Sequence, residues 1–269
     1  MWTVLWTESA TRAIFVPKIS QPAIPPFPYL MQRTLEPELL DSLPPDHPDA
    51  QHSRRDLRLT NAVLGNHRWL ERTVPRLMRP NETALELGAG TGELGLRLQR
   101  AGVNCDGLDL WPRPETWHAA STWHRGDLKA FPGYADYPVL IGNLIFHQFS
   151  NSDLTTLGSK LCRQTRVIVA CEPHRRRISQ TLYRTFAPLF GANHVTLHDA
   201  HISIAAGFRG DDLPLLLGLA TDTWSITCTT TLLGLYRMVA IRREPAPAAR
   251  SDVTVNSAVA FSRTPRLDL

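Results

Sequence analysis

The chain has 269 residues, of which 43% are hydrophobic and 20% charged, with a formal net charge of +4. That length allows one α/β domain with extensions or at most two small ones, with enough apolar residues for a packed core. No apolar run approaches the ~20 residues of a spanning helix, so no membrane span is expected. Arg175-Arg176-Arg177 and Arg242-Arg243 make the mild basicity local. Such runs suit an acidic partner or nucleic acid, but solvated arginines at helix ends are the plainer reading. The four cysteines (Cys105, Cys162, Cys171, Cys228) are widely spaced with no C-x-x-C pair. This predicts free thiols and a reducing, cytoplasmic setting.

The first twenty residues are broken by Glu8 and Arg12 and lack a basic start or a small-residue cleavage site, so they do not read as a signal peptide. They also read unlike the rest, which leaves Met31 as an alternative start. Nine prolines lie between Pro17 and Pro48, so residues 1–50 are expected to form a proline-rich, partly disordered leader with a short helix over Glu36 to Leu43. A main domain is expected over 51–243. Its first part, Gln51 to Leu77, carries Leu57, Val63, Leu64, Trp69 and Leu70 at helical spacing, with a break at Gly65-Asn66.

Alternating strands and helices follow, the pattern of a parallel sheet. The predicted strands are Thr83–Leu87, Val103–Leu110, Trp123–Leu128, Pro138–Leu144 and Arg166–Cys171. The helices between and after them run to about Arg100, from Ser152 to Cys162 behind a Ser150 cap, and from Arg175 to Phe190 with a stop at Gly191. The residues after Val195 read as a strand, followed by a short helix from Gly210 to Leu219. Two β-rich runs, Thr223–Thr230 and Leu233–Ile241, close the domain, and an Ala/Pro/Ser-rich tail over 244–269 is expected to be disordered.

The organising stretch is Thr83 to Leu98, an apolar strand, a turn containing Gly88, Gly90, Gly92 and Gly95, and a helix start. Backbone that contacts a ligand must lack Cβ atoms, and the helix points free N–H groups over the turn. Read from Gly90, the turn fits the G-x-G-x-x-G of NAD(P)- or FAD-dependent oxidoreductases. Glu86 argues against that reading, because an anion before the turn repels a pyrophosphate and suits a cationic cofactor without phosphate. Asp109 ends the second strand, seventeen positions after Gly92, where a carboxylate can accept from two ribose hydroxyls.

Glu86-Leu-Gly88-Ala89-Gly90-Thr-Gly92 resembles motif I of class I S-adenosylmethionine (SAM) methyltransferases. LIGNLIFHQFSNSDL, beginning at Leu140, is similar to a segment of bacterial small-molecule methyltransferases related to the ubiquinone/menaquinone enzymes. The resemblance implies a Rossmann-like, mostly parallel seven-stranded sheet flanked by helices, with an N-terminal helical lid. It also implies SAM as cofactor and a small, aromatic or polyketide-like hydroxylated acceptor. By the same resemblance Leu110 lies against the adenine, Asp127-Leu128 meets its edge, and Asn143 ends the fourth strand at the site. The D/N-P-P-Y/F of nucleic-acid amine methyltransferases has no counterpart here, which speaks against DNA and RNA as acceptors. A monomer or homodimer is expected. A silent SAM-fold module or an RNA-associated protein is the remaining alternative.

A phenolic acceptor must lose a proton, and His147, just beyond the fourth strand, is the candidate base, its ordinary pKa suiting proton removal near neutrality. Glu172 and His174, after the fifth strand, could also face the acceptor. His194, His198 and His201 have a spacing that chelates metal only on a helix; read as strand they scatter, so no metal site is expected.

Overall fold

The computed structural model describes residues 31–44 and 46–244. The leader before Met31 and the tail beyond Glu244 lie outside the described residues. Seven strands form one sheet in the order β3-β2-β1-β4-β5-β7-β6. Strands β1 (Ala84–Leu87), β2 (Cys105–Asp109), β3 (Trp123–Arg125), β4 (Val139–Asn143) and β5 (Val167–Pro173) are parallel. Strands β6 (Trp224–Thr230) and β7 (Leu235–Arg242) are antiparallel to each other, and β7 is antiparallel to β5. The helices are α1 (Leu39–Ser42), α2 (Pro48–Leu64), α3 (Asn66–Thr73), α4 (Glu93–Arg100), α5 (Asn151–Leu161), α6 (Arg177–Phe186), α7 (His194–Ala206) and α8 (Asp212–Leu216).

Every residue of β1 and β5 is buried, as a parallel sheet covered on both faces requires. Period-two alternation sends Leu85, Leu87, Leu140 and Ile168 to one core with Leu154, Leu157 and Leu213. Ala84, Ile141 and Val169 go to the other, with Leu70, Leu94 and Leu98. Glu86 shares a face with Ala84, so its carboxyl enters the second core beneath α4. Leu87 is level with Leu108 and Gly142, so the turns after β1, β2 and β4 open on one edge. Ligands bind at that carboxyl edge in open α/β sheets.

The local punctuation follows the sequence. Gly65 stops α2 in the left-handed region at φ 72°, the Ser150 side chain accepts the Asp153 N–H to cap α5, and Gly191 ends the turn after α6 at φ 84°. Strand β3 stops at Arg125 rather than Leu128.

Two expectations are corrected. The stretch after Val195 is helix, not strand: Asn193 accepts the Thr196 N–H, and α7 buries Val195, Thr196, Asp199, Ile202, Ala205 and Ala206. Tertiary burial overrides the β propensity of its branched residues. On α2 only part of the apolar set faces inward, Leu64 packing against the second core. Leu57 and Val63 are exposed, whereas Ala50, Ser53, Asp56 and Asn61 are buried, and Thr196 Oγ1 donates to Asp56 at 2.9 Å. Among the described residues no helix is long and apolar enough to cross a membrane.

Candidate cofactor and acceptor site

The glycine turn adopts a conformation that side chains rarely tolerate. Gly88, Gly90 and Gly92 have φ of 63°, 54° and 71°, and Gly92 starts α4 without a side-chain cap. A Cβ on Gly88 would strike Ile145 at 2.5 Å, and one on Gly92 would strike Trp117 at 2.7 Å. A Cβ on Gly90 would meet nothing within 4 Å. The turn is therefore packed on both flanks and open at its middle. Ala89 is buried beside it. Trp117, which the sequence reading did not single out, forms the wall: it packs against Gly92 and Gly95 and meets Trp123 edge-on at 5.0 Å.

Beneath the turn, Glu86 is 4% exposed and its Oε2 has no hydrogen-bond partner among the described residues. Burial pushes its pKa up to about 8, opposed by the Gly95 N–H and reinforced by Asp109. Asn143 Oδ1, at the end of β4, is likewise buried without a partner. Leu144 follows at φ 59°, an uncommon conformation for such a side chain and one that marks functional turns. Two orphaned acceptors on neighbouring strands, one of them a carboxyl, fit a ligand group that donates hydrogen bonds and carries positive charge.

Asp109 is buried at the end of β2. Its Oδ2 accepts the Gly90 N–H at 2.7 Å and its Oδ1 accepts the Trp111 N–H at 2.8 Å. It thus ties the glycine turn to the β2 loop, and each oxygen keeps a lone pair for a further donor. Leu110 is exposed beside it. Asp127 is exposed and accepts the Lys129 N–H at 2.8 Å, while Leu128 is buried and its carbonyl accepts from Tyr134 Oη at 2.7 Å. Helix α2 reaches over this loop, with the Arg54 guanidinium 5.6 Å from the Trp111 ring centre.

His147 lies in the 3₁₀ turn after β4 and is 4% exposed. Its Nδ1 is 2.7 Å from Glu172 Oε2, and its Nε2 is 3.5 Å from Glu38 Oε1. The expectation of an ordinary imidazole pKa is corrected here. Burial lowers it, but the hydrogen bonds to Glu172 and Glu38 outweigh burial and push it up to about 9. Glu38 moves the other way: burial raises its pKa, and bonding to His147 and Ser203 brings it below the usual value. Glu38 belongs to a strap, residues 31–43, that lies on the body. Arg33 donates to the carbonyls of Ala206, His147 and Phe149 and to Asn151 Oδ1, and Asp199 accepts the Leu39 and Leu40 N–H groups. Glu38 and Arg33 were not found from sequence; neither sits in a motif.

The histidines of α7 do not converge. His198 Nδ1 lies 3.0 Å from Asp199 and the His201 carbonyl accepts from Gln180. Among the described residues no group of three His, Cys, Asp or Glu side chains could hold a metal ion. All four cysteines are free.

Sheet order, the antiparallel last pair and the glycine turn after β1 together define the class I methyltransferase fold. The comparison with solved structures agrees. The chain is similar to the plantazolicin methyltransferase BpumL in complex with SAH, at 13% identity and TM-score 0.58, over 74% of this chain and 92% of that one. It is similar to BpumL with a monoazolic desmethylPZN analog and SAH, at 14% identity and TM-score 0.58, over 73% and 91%. A third is the plantazolicin methyltransferase BamL with a triazolic analog and SAH, at 12% identity and TM-score 0.58, over 74% and 93%. At these identities the likeness establishes the fold. No family model matches the sequence, and no curated protein does.

Proposed function

We propose that the chain is a methyltransferase that uses SAM to methylate a small-molecule acceptor in the cytoplasm. The carrying observation is Glu86, a buried carboxyl with an orphaned oxygen directly under an open glycine turn. A pyrophosphate has no donor to offer that oxygen; an α-amino group would donate to it, and the positive charge of the amino and sulfonium groups would favour its carboxylate form. SAM, when bound, supplies an electrophilic methyl group. Glu86 and Asn143 would accept from its amino group, and Gly88, Ala89, Gly90 and Gly92 leave room for it. Asp109 would take the ribose hydroxyls. Leu110, Asp127 and Leu128 would border the adenine. The solved structures of similar fold contain SAH, which supports this reading.

For the acceptor we infer a hydroxylated aromatic or polyketide-like compound. The support is His147, a buried imidazole held by Glu172 at the end of β4, suited to a hydroxyl that must lose its proton; an apolar cleft lined by Leu59, Val63, Tyr183, Phe186 and Phe190 lies separately, between α2 and α6. His147 Nε2 would take the acceptor's proton, with Glu172 holding Nδ1 as a donor. With a pKa pushed up to about 9 the imidazole must first lose its proton to act as base, and displacing Glu38 removes one of the groups that hold that proton. The acceptor would displace Glu38 from Nε2.

Calorimetry with SAM and NADH tests the cofactor, and mass spectrometry of small-molecule extracts incubated with enzyme and deuterated-methyl SAM tests the reaction. Binding of NADH without binding of SAM would replace this reading by an oxidoreductase.

A further inference from the structure

The carboxyl edge of the sheet carries a second polar cluster that methyl transfer does not use. Strand β5 ends at Pro173 and runs into His174-Arg175-Arg176-Arg177. A parallel bridge joins His174 to Phe208. The Arg175 N–H donates to the Phe208 carbonyl at 3.2 Å, and the Phe208 N–H donates to the Pro173 carbonyl at 3.0 Å. This pairing brings the segment after Phe208 beside the start of α6, and both Arg176 and Arg209 act on His174 electrostatically.

The arginines there play different parts. Arg175 is buried and turned inward, donating to the carbonyls of Met31 and Gly207 and to Asp212. Asp212 Oδ2 also accepts the Arg209 backbone N–H at 2.9 Å. Asp211, the other acid of the loop, caps no N–H group. The guanidinium groups of Arg176 and Arg209 form no hydrogen bond or ion pair among the described residues.

The His174 Nδ1 is buried and has no hydrogen-bond partner among the described residues. Burial, then Arg176, Arg209 and Arg175, lower its pKa to about 4, so the ring is neutral at pH 7 and offers an anion one N–H, while the arginines supply the positive charge. Helix α6 begins at the same place with no side-chain cap on its first N–H groups. Its other end, ~15 Å away for ten residues, carries Phe186 on the apolar cleft.

We propose that His174, Arg176 and Arg209 form an anion-binding subsite for a phosphate or carboxylate group of the small-molecule acceptor. The acceptor's apolar body would then lie along α6 towards Phe186. Assigning the anion to the acceptor rests on the methyltransferase reading; the anion site itself does not.

The test is a titration with inorganic phosphate followed through the His174 imidazole resonances, with SAM calorimetry run in parallel on each variant. In the wild type phosphate should saturate and raise the His174 pKa. Arg176→Ala/Arg209→Ala should weaken phosphate binding at least about tenfold, the loss expected for charge-assisted hydrogen bonds, and leave SAM affinity unchanged. Arg176→Ala alone, at an exposed position, should weaken it less and covers the case in which the double variant does not fold. Equal phosphate binding in wild type and the Arg176→Ala variant, or no saturable response in the wild type, would overturn the subsite. Single-stranded RNA that binds more tightly than phosphate and is released by the double variant would overturn its assignment to a small acceptor. Saturable phosphate binding without SAM binding would remove the methyltransferase reading and, with it, the acceptor as ligand.

Discussion

Glu172 Oε2 lies 2.7 Å from His147 Nδ1, and the same carboxylate accepts the backbone N–H groups of Ile145, Phe146 and His147. One wholly buried acid from β5 therefore shapes the turn after β4 and fixes the imidazole within it. Glu38 completes the arrangement from the strap.

The first prediction follows from the two carboxylates. Glu38→Gln removes one of the groups that raise the His147 pKa, so a pH titration by NMR should place it below the wild-type value of about 9. If His147 is the base, methylation should rise with pH through the same value, and Glu38→Gln should move that rise to lower pH. The sign for stability is also fixed. The raised pKa contributes stability fully below about 6.5, the unfolded value, and loses it as pH rises through about 9. A methylation profile that ignores Glu38→Gln would reject His147 as base.

Glu86 gives the opposite pH dependence for binding. With its pKa at about 8, the carboxyl is protonated at neutrality, and a cationic ligand must drive off that proton. SAM affinity should therefore increase close to tenfold per pH unit below about 8 and level off above it. Glu86→Gln should flatten the profile and abolish proton release, measured by calorimetry in buffers of different ionisation enthalpy. Because the folded-state pKa is raised, Glu86 also costs the free protein stability as pH rises towards about 8. The Gln variant should melt higher than wild type at pH 8, with little difference near pH 4.

Gly90→Ala and Gly92→Ala separate ligand space from packing. A side chain at Gly90 enters open space and costs only the left-handed backbone, about 1–2 kcal/mol. The variant should fold and fail to bind SAM. At Gly92 the methyl group collides with Trp117, so the larger effect should be on the melting temperature. Normal SAM binding by folded Gly90→Ala would move the cofactor elsewhere.

Asp109→Ala leaves the Gly90 and Trp111 N–H groups without their carboxylate. Charge-assisted hydrogen bonds contribute roughly 1.5–3 kcal/mol each. SAM affinity should fall at least about tenfold by calorimetry, with the circular dichroism of the fold retained. Unchanged affinity would remove Asp109 from the ribose site.

The parts of the fold legible in the sequence were those written locally. Gly65, Ser150 and Gly191 act within one turn of chain, and the glycines after β1 carry their own backbone requirement. Helix α7 was not legible, because Val195, Thr196, Ile202 and Ile204 favour a strand until the core and Asn193 decide otherwise. The polar inner face of α2 escaped notice because Asp56 is satisfied by Thr196, 140 positions away. The same distance hid the chemistry of His147. Its position was readable, but its charge is set by Glu172, 25 positions on, and by Glu38 on the strap.

The strap has a consequence for the order of events during synthesis. Arg33 is among the first described residues made, yet one of its acceptors is the carbonyl of Ala206, 173 positions later. Asp199, which anchors Leu39 and Leu40, is 160 and 159 positions later. The strap cannot seat until α7 has left the ribosome, so the nascent chain carries β1, its glycine turn and β4 with the His147 side uncovered. Contacts that close such long loops form late. The strap thus completes its packing after elements that are translated well behind it, and a nascent chain arrested before Asp199 would hold the turn after β4 with His147 uncovered.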